Sequence, residues 1–399
     1  MPTLLDSFRA SLSPLVSPAR RTIAGSLSKP SPSKPVSKTY SSPVASHVNW
    51  CDLATRIGFE CVNAHLLLLD TYLLGQWEAP NDDDDGEDPR EDQLEQAKDE
   101  WLLEALVALG ICSEIRLRNK RAGKAGECLE LVLRILVSRT HAEESWSKAV
   151  LRNPYSMSFM LRLVAWTGDT CHELRKAGVT EEGNGKDHDG NVDIRASEDD
   201  VDDISSVGEN RSHRDDEDVR WQDRLCLALA LLANLAQSVD KAKDAVRETR
   251  KLHIDVIFHE SFIMLAGVDP NCSLKKSACV RNCCCTRPLG GLDIIIRLYS
   301  QQETCRDVPS RDEGEGEIRR VLDMLSLLGH LAVLFGLLMR GNGKNADIII
   351  SSLPSRGESK KAKLGRLVEQ ALELVSFDAA LGGPGEVARE VVGYLRELM

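Results

Sequence analysis

Leu225-Cys226-Leu227-Ala228-Leu229-Ala230-Leu231-Leu232-Ala233-Asn234-Leu235-Ala236 holds one polar residue, Asn234, in twelve. A helix that is apolar all round has to be covered on several sides, so this one belongs inside a stack of helices. Similar stretches recur at fairly regular intervals: Cys51 to Leu74, Trp101 to Arg116, Glu127 to Val137, Ser156 to Trp166, Arg220 to Gln237, Val256 to Ala266, Gly291 to Tyr299, Ile318 to Met339, Lys361 to Phe377 and Glu386 to Met399. None alternates as a strand does, although Ile348-Ile349-Ile350 is a candidate for a short extended piece. The chain is 42% hydrophobic and only 5% aromatic, so its apolar mass is Leu, Val, Ala and Ile. That mix suits helices packed on helices better than a sandwich, and the expected class is all-α.

At 399 residues the chain has room for two or three domains or one long repeat array. Leu231-Leu232-Ala233-Asn234-Leu235-Ala236 resembles the buried third helix of an armadillo-type repeat, with Leu131 to Val137 and Leu331 to Met339 as looser relatives. The spacing of helices therefore predicts a HEAT/armadillo-like array, an α-solenoid, over residues 47–399. Residues 1–46 are rich in Ser and Pro and set one acid, Asp6, against Arg9, Arg20, Arg21, Lys29, Lys34 and Lys38, the composition of a disordered basic tail. Two acidic insertions follow, one around Asp82-Asp83-Asp84-Asp85 and one from Glu181 to Asp218, where 15 acids against 4 bases leave 15 − 4 = 11 negative charges. Loops are expected at about 78–96, 180–218 and 303–316.

Lys+Arg 50 against Asp+Glu 62 gives a formal charge of −12, which argues against a coat for nucleic acid or anionic membrane and in favour of protein partners. Any DNA contact is expected to be indirect. The basic tail lacks the aromatic side chains that stack on bases, Tyr40 excepted. The start Met1-Pro2-Thr3-Leu4-Leu5-Asp6 has no basic segment leading into an apolar core, so the twelve cysteines belong in a reducing compartment. Pro14 and Pro18 interrupt the amphipathic helix that a transit peptide needs. The longest apolar run, Leu325 to Met339, carries His330 and falls short of the ~20 residues that span a bilayer, so no membrane segment is expected.

Signals for catalysis are poor. Gly183-Asn184-Gly185-Lys186 and Gly341-Asn342-Gly343-Lys344 lack the leading glycine, the Ser or Thr after Lys and the preceding strand of a phosphate loop. His259-Glu260 continues Ser261-Phe262-Ile263, with no second His one turn on to complete a zinc site. There is no Gly-x-Ser-x-Gly elbow, and Cys226 in its apolar helix is inert filling. Ser197, ahead of Glu198-Asp199-Asp200, has the setting of an acidophilic-kinase site. Cys272, Cys279, Cys283, Cys284 and Cys285 could offer soft thiolates to Zn²⁺, yet three consecutive cysteines match no paired Cys-x₂₋₄-Cys spacing. No cofactor, small-molecule substrate or enzymatic activity is expected.

The order of segments says more than any motif. Cys128-Leu129-Glu130-Leu131-Val132-Leu133, a polar turn with Trp146, a helix to Trp166 and the run from Leu225 to Ala236 lead to Gly329-His330-Leu331-Ala332-Val333-Leu334-Phe335-Gly336-Leu337-Leu338. After these come Ile350-Ser351-Ser352-Leu353-Pro354, the helix Leu364 to Val375 and Val391-Val392-Gly393-Tyr394-Leu395. This succession resembles the C-terminal region of the Wings-apart-like (WAPL) cohesin-release family, over roughly residues 125–399 and most closely from 318 on. In many members the acidic insertion follows the Asn-Leu helix, whereas here it precedes it, and the Phe-Gly-Phe motifs of animal members are absent. The resemblance implies a diverged, fungal-type short member or a chain lacking its N-terminal half. It implies HEAT-like helices and a non-catalytic role: binding cohesin subunits and the cohesin-associated HEAT-repeat regulator, releasing cohesin from chromatin, and residence in the nucleus. By the same resemblance, Arg319, Arg320, Leu322 and Asp323 carry part of the partner-binding surface. The alternative is a generic helical scaffold unrelated to cohesin, with a cytoplasmic location.

Overall fold

Helix occupies nearly all of the described chain, as a Leu- and Ala-rich, aromatic-poor composition leads one to expect. The computed structural model describes residues 50–78, 89–118, 123–183, 206–249, 290–306, 315–355, 357–380 and 385–399. Among these residues lie thirteen helices and no strand: α1 Trp50–Arg56, α2 Phe59–Glu78, α3 Pro89–Arg118, α4 Ala125–Ala142, α5 Glu144–Arg152, α6 Ser156–Gly183, α7 Ser206–Ser238, α8 Asp240–Glu248, α9 Gly291–Arg306, α10 Glu315–Met339, α11 Gly343–Ser352, α12 Lys360–Ala380 and α13 Glu386–Glu397. The protein is all-α in these segments. The basic tail of residues 1–46 and the expected helix Val256 to Ala266 lie outside the described residues.

The structure departs from the sequence-based expectation in several places: the Cys51 to Leu74 stretch is broken at Ile57-Gly58 into α1 and α2, and the polar turn expected around Trp146 is helix α5 with Trp146 buried. Ile348-Ile349-Ile350 is helical, inside α11. The Asn342 side chain caps that helix by accepting from the Asn345 N–H at 3.1 Å, and a satisfied cap outweighs the modest strand preference of an Ile run. The helices also reach into the acidic stretches, with α3 starting at Pro89, α6 running to Gly183 and α7 starting at Ser206. Once the buried half of a helix has formed, each further residue adds a hydrogen bond at no new nucleation cost, so helix extends into polar sequence. In the run from Leu225 to Ala236 every residue is buried or half-buried, as an all-round apolar helix requires.

Packing divides the described helices into two units. The first contains α1 to α5, the start of α6 through Met160, the end of α7 from Gln237, and α8. Here α4 is the common partner: α2, α3 and α5 all pack on it, and α1 packs on α3. Arg134 on α4 reaches Asp70 on α2 at 2.6 Å, and Asn63 donates to Glu127 Oε2 at 3.1 Å. Glu143 leaves helical geometry between α4 and α5, and Ser147 Oγ closes that corner by donating to the Thr140 carbonyl at 3.1 Å.

The second unit contains the rest of α6 and α7 together with α9 to α13. Its axis is α10, which packs against α9, α11, α12 and α13. The Val321–Met339 part of α10 is long and apolar enough to cross a membrane by length and composition, yet 61% of it is buried within the protein, as befits a core helix. Two glycines let α10 sit close to its neighbours. A Cβ on Gly329 would lie 2.7 Å from Leu374 Cβ and 3.1 Å from the Gln370 carbonyl oxygen, and one on Gly336 would overlap Val391 Cγ1.

Candidate partner-binding surface

α10 changes character along its length. From Leu327 to Met339 every residue except His330 is buried. Asp323 to Ser326 are half-buried, and the turn before them opens to solvent, with Val321 38% and Leu322 45% exposed. Val321 and Leu322 are thus adjacent aliphatic side chains partly open to water, where fully burying a Leu is worth about 1.5–3 kcal/mol. The turn is held in place: Gln222 Nε2 on α7 donates to the Asp323 carbonyl at 3.2 Å. Two turns further on, the His330 ring lies on its own helix, with Nδ1 2.8 Å from the Ser326 carbonyl.

Of the four residues marked from sequence, Leu322 is thus exposed and Asp323 half-buried. Arg319 and Arg320 belong to the same helix backbone, and their side chains lie outside the described residues. Leu328 and Leu331 are fully buried, while Leu325 is half-buried at the boundary.

Beside α10 lies a polar seam between α9 and α12 that the sequence reading missed. The Tyr299 hydroxyl lies 2.9 Å from Glu303 Oε1 and 2.9 Å from Gln370 Oε1, while its ring packs edge-on against Phe335 of α10 with centroids 5.4 Å apart. Burial, and after it the Glu303 carboxylate, push the Tyr299 hydroxyl well above the usual tyrosine range, so it stays protonated. Arg366 donates to the Pro354 carbonyl at 2.7 Å and pairs with Glu358 at 3.1 Å and Glu303 at 3.6 Å. Lys363, itself buried, donates to the carbonyls of Ile350 and Leu353 at 3.1 and 2.9 Å, closing the C-terminal end of α11. A signal existed: Lys363 and Gln370 stand on the stripe of α12 that also holds Leu367 and Leu374, where a side chain facing the core is expected to be apolar.

The remaining candidates fall as follows. Gly341 takes φ +70 in the turn after α10, and Asn342 caps α11, so this Gly-Asn-Gly-Lys is a helix junction. In the other Gly-Asn-Gly-Lys, Gly183 ends α6 and the rest lies outside the described residues. Cys272, Cys279, Cys283, Cys284 and Cys285, His259, Glu260 and Ser197 also lie outside them. Cys226 is half-buried in α7. Among the described residues no group of three His, Cys, Asp or Glu side chains is placed to hold a metal ion.

No family model, curated protein or solved structure matches the chain.

Proposed function

We propose that this chain is a non-catalytic regulator that binds cohesin and promotes its release from chromatin, working in the nucleus through HEAT-like stacking of its helices. The observation that carries the proposal is the solvent-facing Val321-Leu322 turn on the core-anchored helix α10, within the segment where the resemblance to the WAPL family is strongest. An apolar pair adjacent in sequence to Arg319, Arg320 and Asp323 has the composition of an interface, aliphatic residues next to charged ones. The partners are cohesin subunits and the cohesin-associated HEAT-repeat regulator.

The test separates surface from packing. Leu322→Glu, at an exposed position, is expected to change stability by no more than about 0.5 kcal/mol, while the pair Arg320→Glu with Asp323→Lys alters a half-buried aspartate and is compared with wild type at a temperature where both are folded. Each is expected to weaken co-purification with cohesin and lengthen cohesin's residence on chromatin. Leu328→Ala, in the core, is expected to cost about 2–5 kcal/mol and to lower stability and association together. Normal cohesin binding by both surface variants removes this turn from the release surface. Failure of the wild-type chain to bind cohesin replaces the proposal with a helical scaffold for another protein.

A further inference from the structure

Arginine three residues before a serine or threonine is the charge pattern that basophilic protein kinases select, because the guanidinium pairs with carboxylates in the substrate groove. Two serines of the chain have it and no threonine does: Ser300 after Arg297 and Ser359 after Arg356. The fold sets them in different surroundings. Ser300 is half-buried within α9, and its hydroxyl donates to the Ile296 carbonyl at 2.9 Å. A kinase takes its acceptor in extended backbone, so phosphate reaches Ser300 only if α9 opens.

Ser359 is exposed, in the non-helical stretch between α11 and α12. Gly357, two residues before it, takes φ +80, and a Cβ there meets nothing within 4 Å, so the stretch turns in open solvent. Arg356 itself lies outside the described residues and enters by its sequence position alone. The Ser359 Oγ accepts the Ala362 N–H at 3.3 Å, which caps α12 without using the hydroxyl's own proton. Helix ends fray, so residues 357–361 can lie extended in a kinase groove while α12 stays held at Lys363, whose ammonium donates to the Ile350 and Leu353 carbonyls. Lys361, exposed two residues after the serine, adds a second positive charge on its other side.

We propose that Ser359 is a phosphorylation site for a basophilic kinase and that the phosphate it receives strengthens the start of α12. The Ser359 oxygen bonds to the γ-phosphorus of ATP, the bond from that phosphorus to the β,γ-bridging oxygen breaks, ADP leaves, and the hydroxyl proton passes to the kinase. The product carries about −1.5 to −2 charges at pH 7. The first turn of α12, Lys360-Lys361-Ala362-Lys363, has three lysines and no acid, so both these charges and the helix dipole favour the anion. The Glu358 carboxylate beside it is already paired with Arg366 at 3.1 Å.

The full chain is incubated with ATP and calcium/calmodulin-dependent protein kinase II, which selects arginine at this spacing, and the sites are mapped by peptide mass spectrometry. Ser359 is expected to be modified, while Ser300 and the exposed Ser351, Ser352, Ser355 and Ser376, which lack the arginine, are not. Arg356→Ala is expected to slow modification of Ser359 by roughly ten-fold or more, the loss of one charged contact. In the phosphorylated chain, amide exchange across residues 357–366 is expected to slow by roughly two- to five-fold. Phosphate at the other serines but not at Ser359, or at no serine, overturns the site. Equal rates in wild type and Arg356→Ala overturn its assignment to a basophilic kinase, and exchange left unchanged by the phosphate overturns its role at α12.

Discussion

Replacing Gly329 by Ala adds one methyl group in the middle of α10, and two opposing effects decide its consequence. In an isolated helix the change is favourable by about 1 kcal/mol, since glycine has more backbone freedom to lose. Here the new Cβ meets Leu374 Cβ at 2.7 Å and the Gln370 carbonyl oxygen at 3.1 Å. Both atoms are fixed to the α12 backbone and cannot swing aside, so α10 and α12 must part. Overpacking of this kind costs about 1–3 kcal/mol, and the seam between Tyr299 and Gln370 beside it adds to the loss, so the net effect is a destabilisation of about 2 kcal/mol. For a unit of 150–250 residues that lowers Tm by roughly 4–8 °C. Gly393 on α13 is the control, because it is exposed and a Cβ there meets nothing within 4 Å. Gly393→Ala is expected to raise Tm by roughly 2–4 °C from helix propensity alone. Gly336→Ala forces an overlap with Val391 Cγ1, and Val391→Ala removes that atom, so the double variant should be more stable than the sum of the two singles by at least about 0.5 kcal/mol. Thermal and urea unfolding followed by circular dichroism measure all five variants. If Gly329→Ala stabilises as Gly393→Ala does, α10 and α12 do not approach as described.

Three further outcomes are expected. Burial raises the Asp70 carboxyl above its ordinary 3.8 even though the Arg134 guanidinium pulls it down, so its contribution to stability is full below pH 3.8 and is lost as pH rises through the raised native value; Asp70→Asn should flatten the pH dependence of unfolding in that window, and an unchanged slope refutes the assignment. Burial, then the Glu127 and Glu60 carboxylates, push the Cys128 thiol up to about 12, whereas Cys61 is exposed; brief iodoacetamide treatment with peptide mapping should modify Cys61 and spare Cys128, and the reverse order would mean that α2 does not cover α4. Lys363→Met keeps the aliphatic stem but strips the donors from the Ile350 and Leu353 carbonyls, an expected loss of about 2–3 kcal/mol in urea unfolding; no loss would remove Lys363 as the cap of α11.

The helical class was legible because it rests on composition and on long apolar stretches, and these depend little on which helix lies next to which. Ile348-Ile349-Ile350 shows where that stops. Three β-branched residues in a row carry a strand preference, and the Asn342 cap, the Lys363 side chain arriving from α12 and the burial of Ile349 favour helix over it. Asn342 could have been weighed from sequence, and Lys363 stands out on the core-facing stripe of α12, but that it reaches α11 across a loop could not be read there. The polar seam was missed for the same reason. Tyr299, Glu303, Arg366 and Gln370 read one at a time as ordinary helix residues, and their meaning comes from side chains of α9 and α12 that reach each other across the fold.

The candidate surface was legible only in part, for a reason specific to α10. Val321, Leu322, Leu325, Leu328 and Leu331 form one uninterrupted apolar pattern, and periodicity alone assigns all five to a core. The structure divides them by where the neighbours cover the helix: Leu328 and Leu331 are fully buried, Leu325 is half-buried, and Val321 and Leu322 stand clear. Where cover begins depends on the placement of α9 to α13, a tertiary quantity that no helical wheel contains. The same logic applies to α2, whose Leu67 and Leu68 extend a buried pattern onto a face that α4 does not reach. In both helices a residue's own hydrophobicity says that it seeks cover, and only the packing of the rest of the chain says whether the fold provides it or a contact made outside that packing has to.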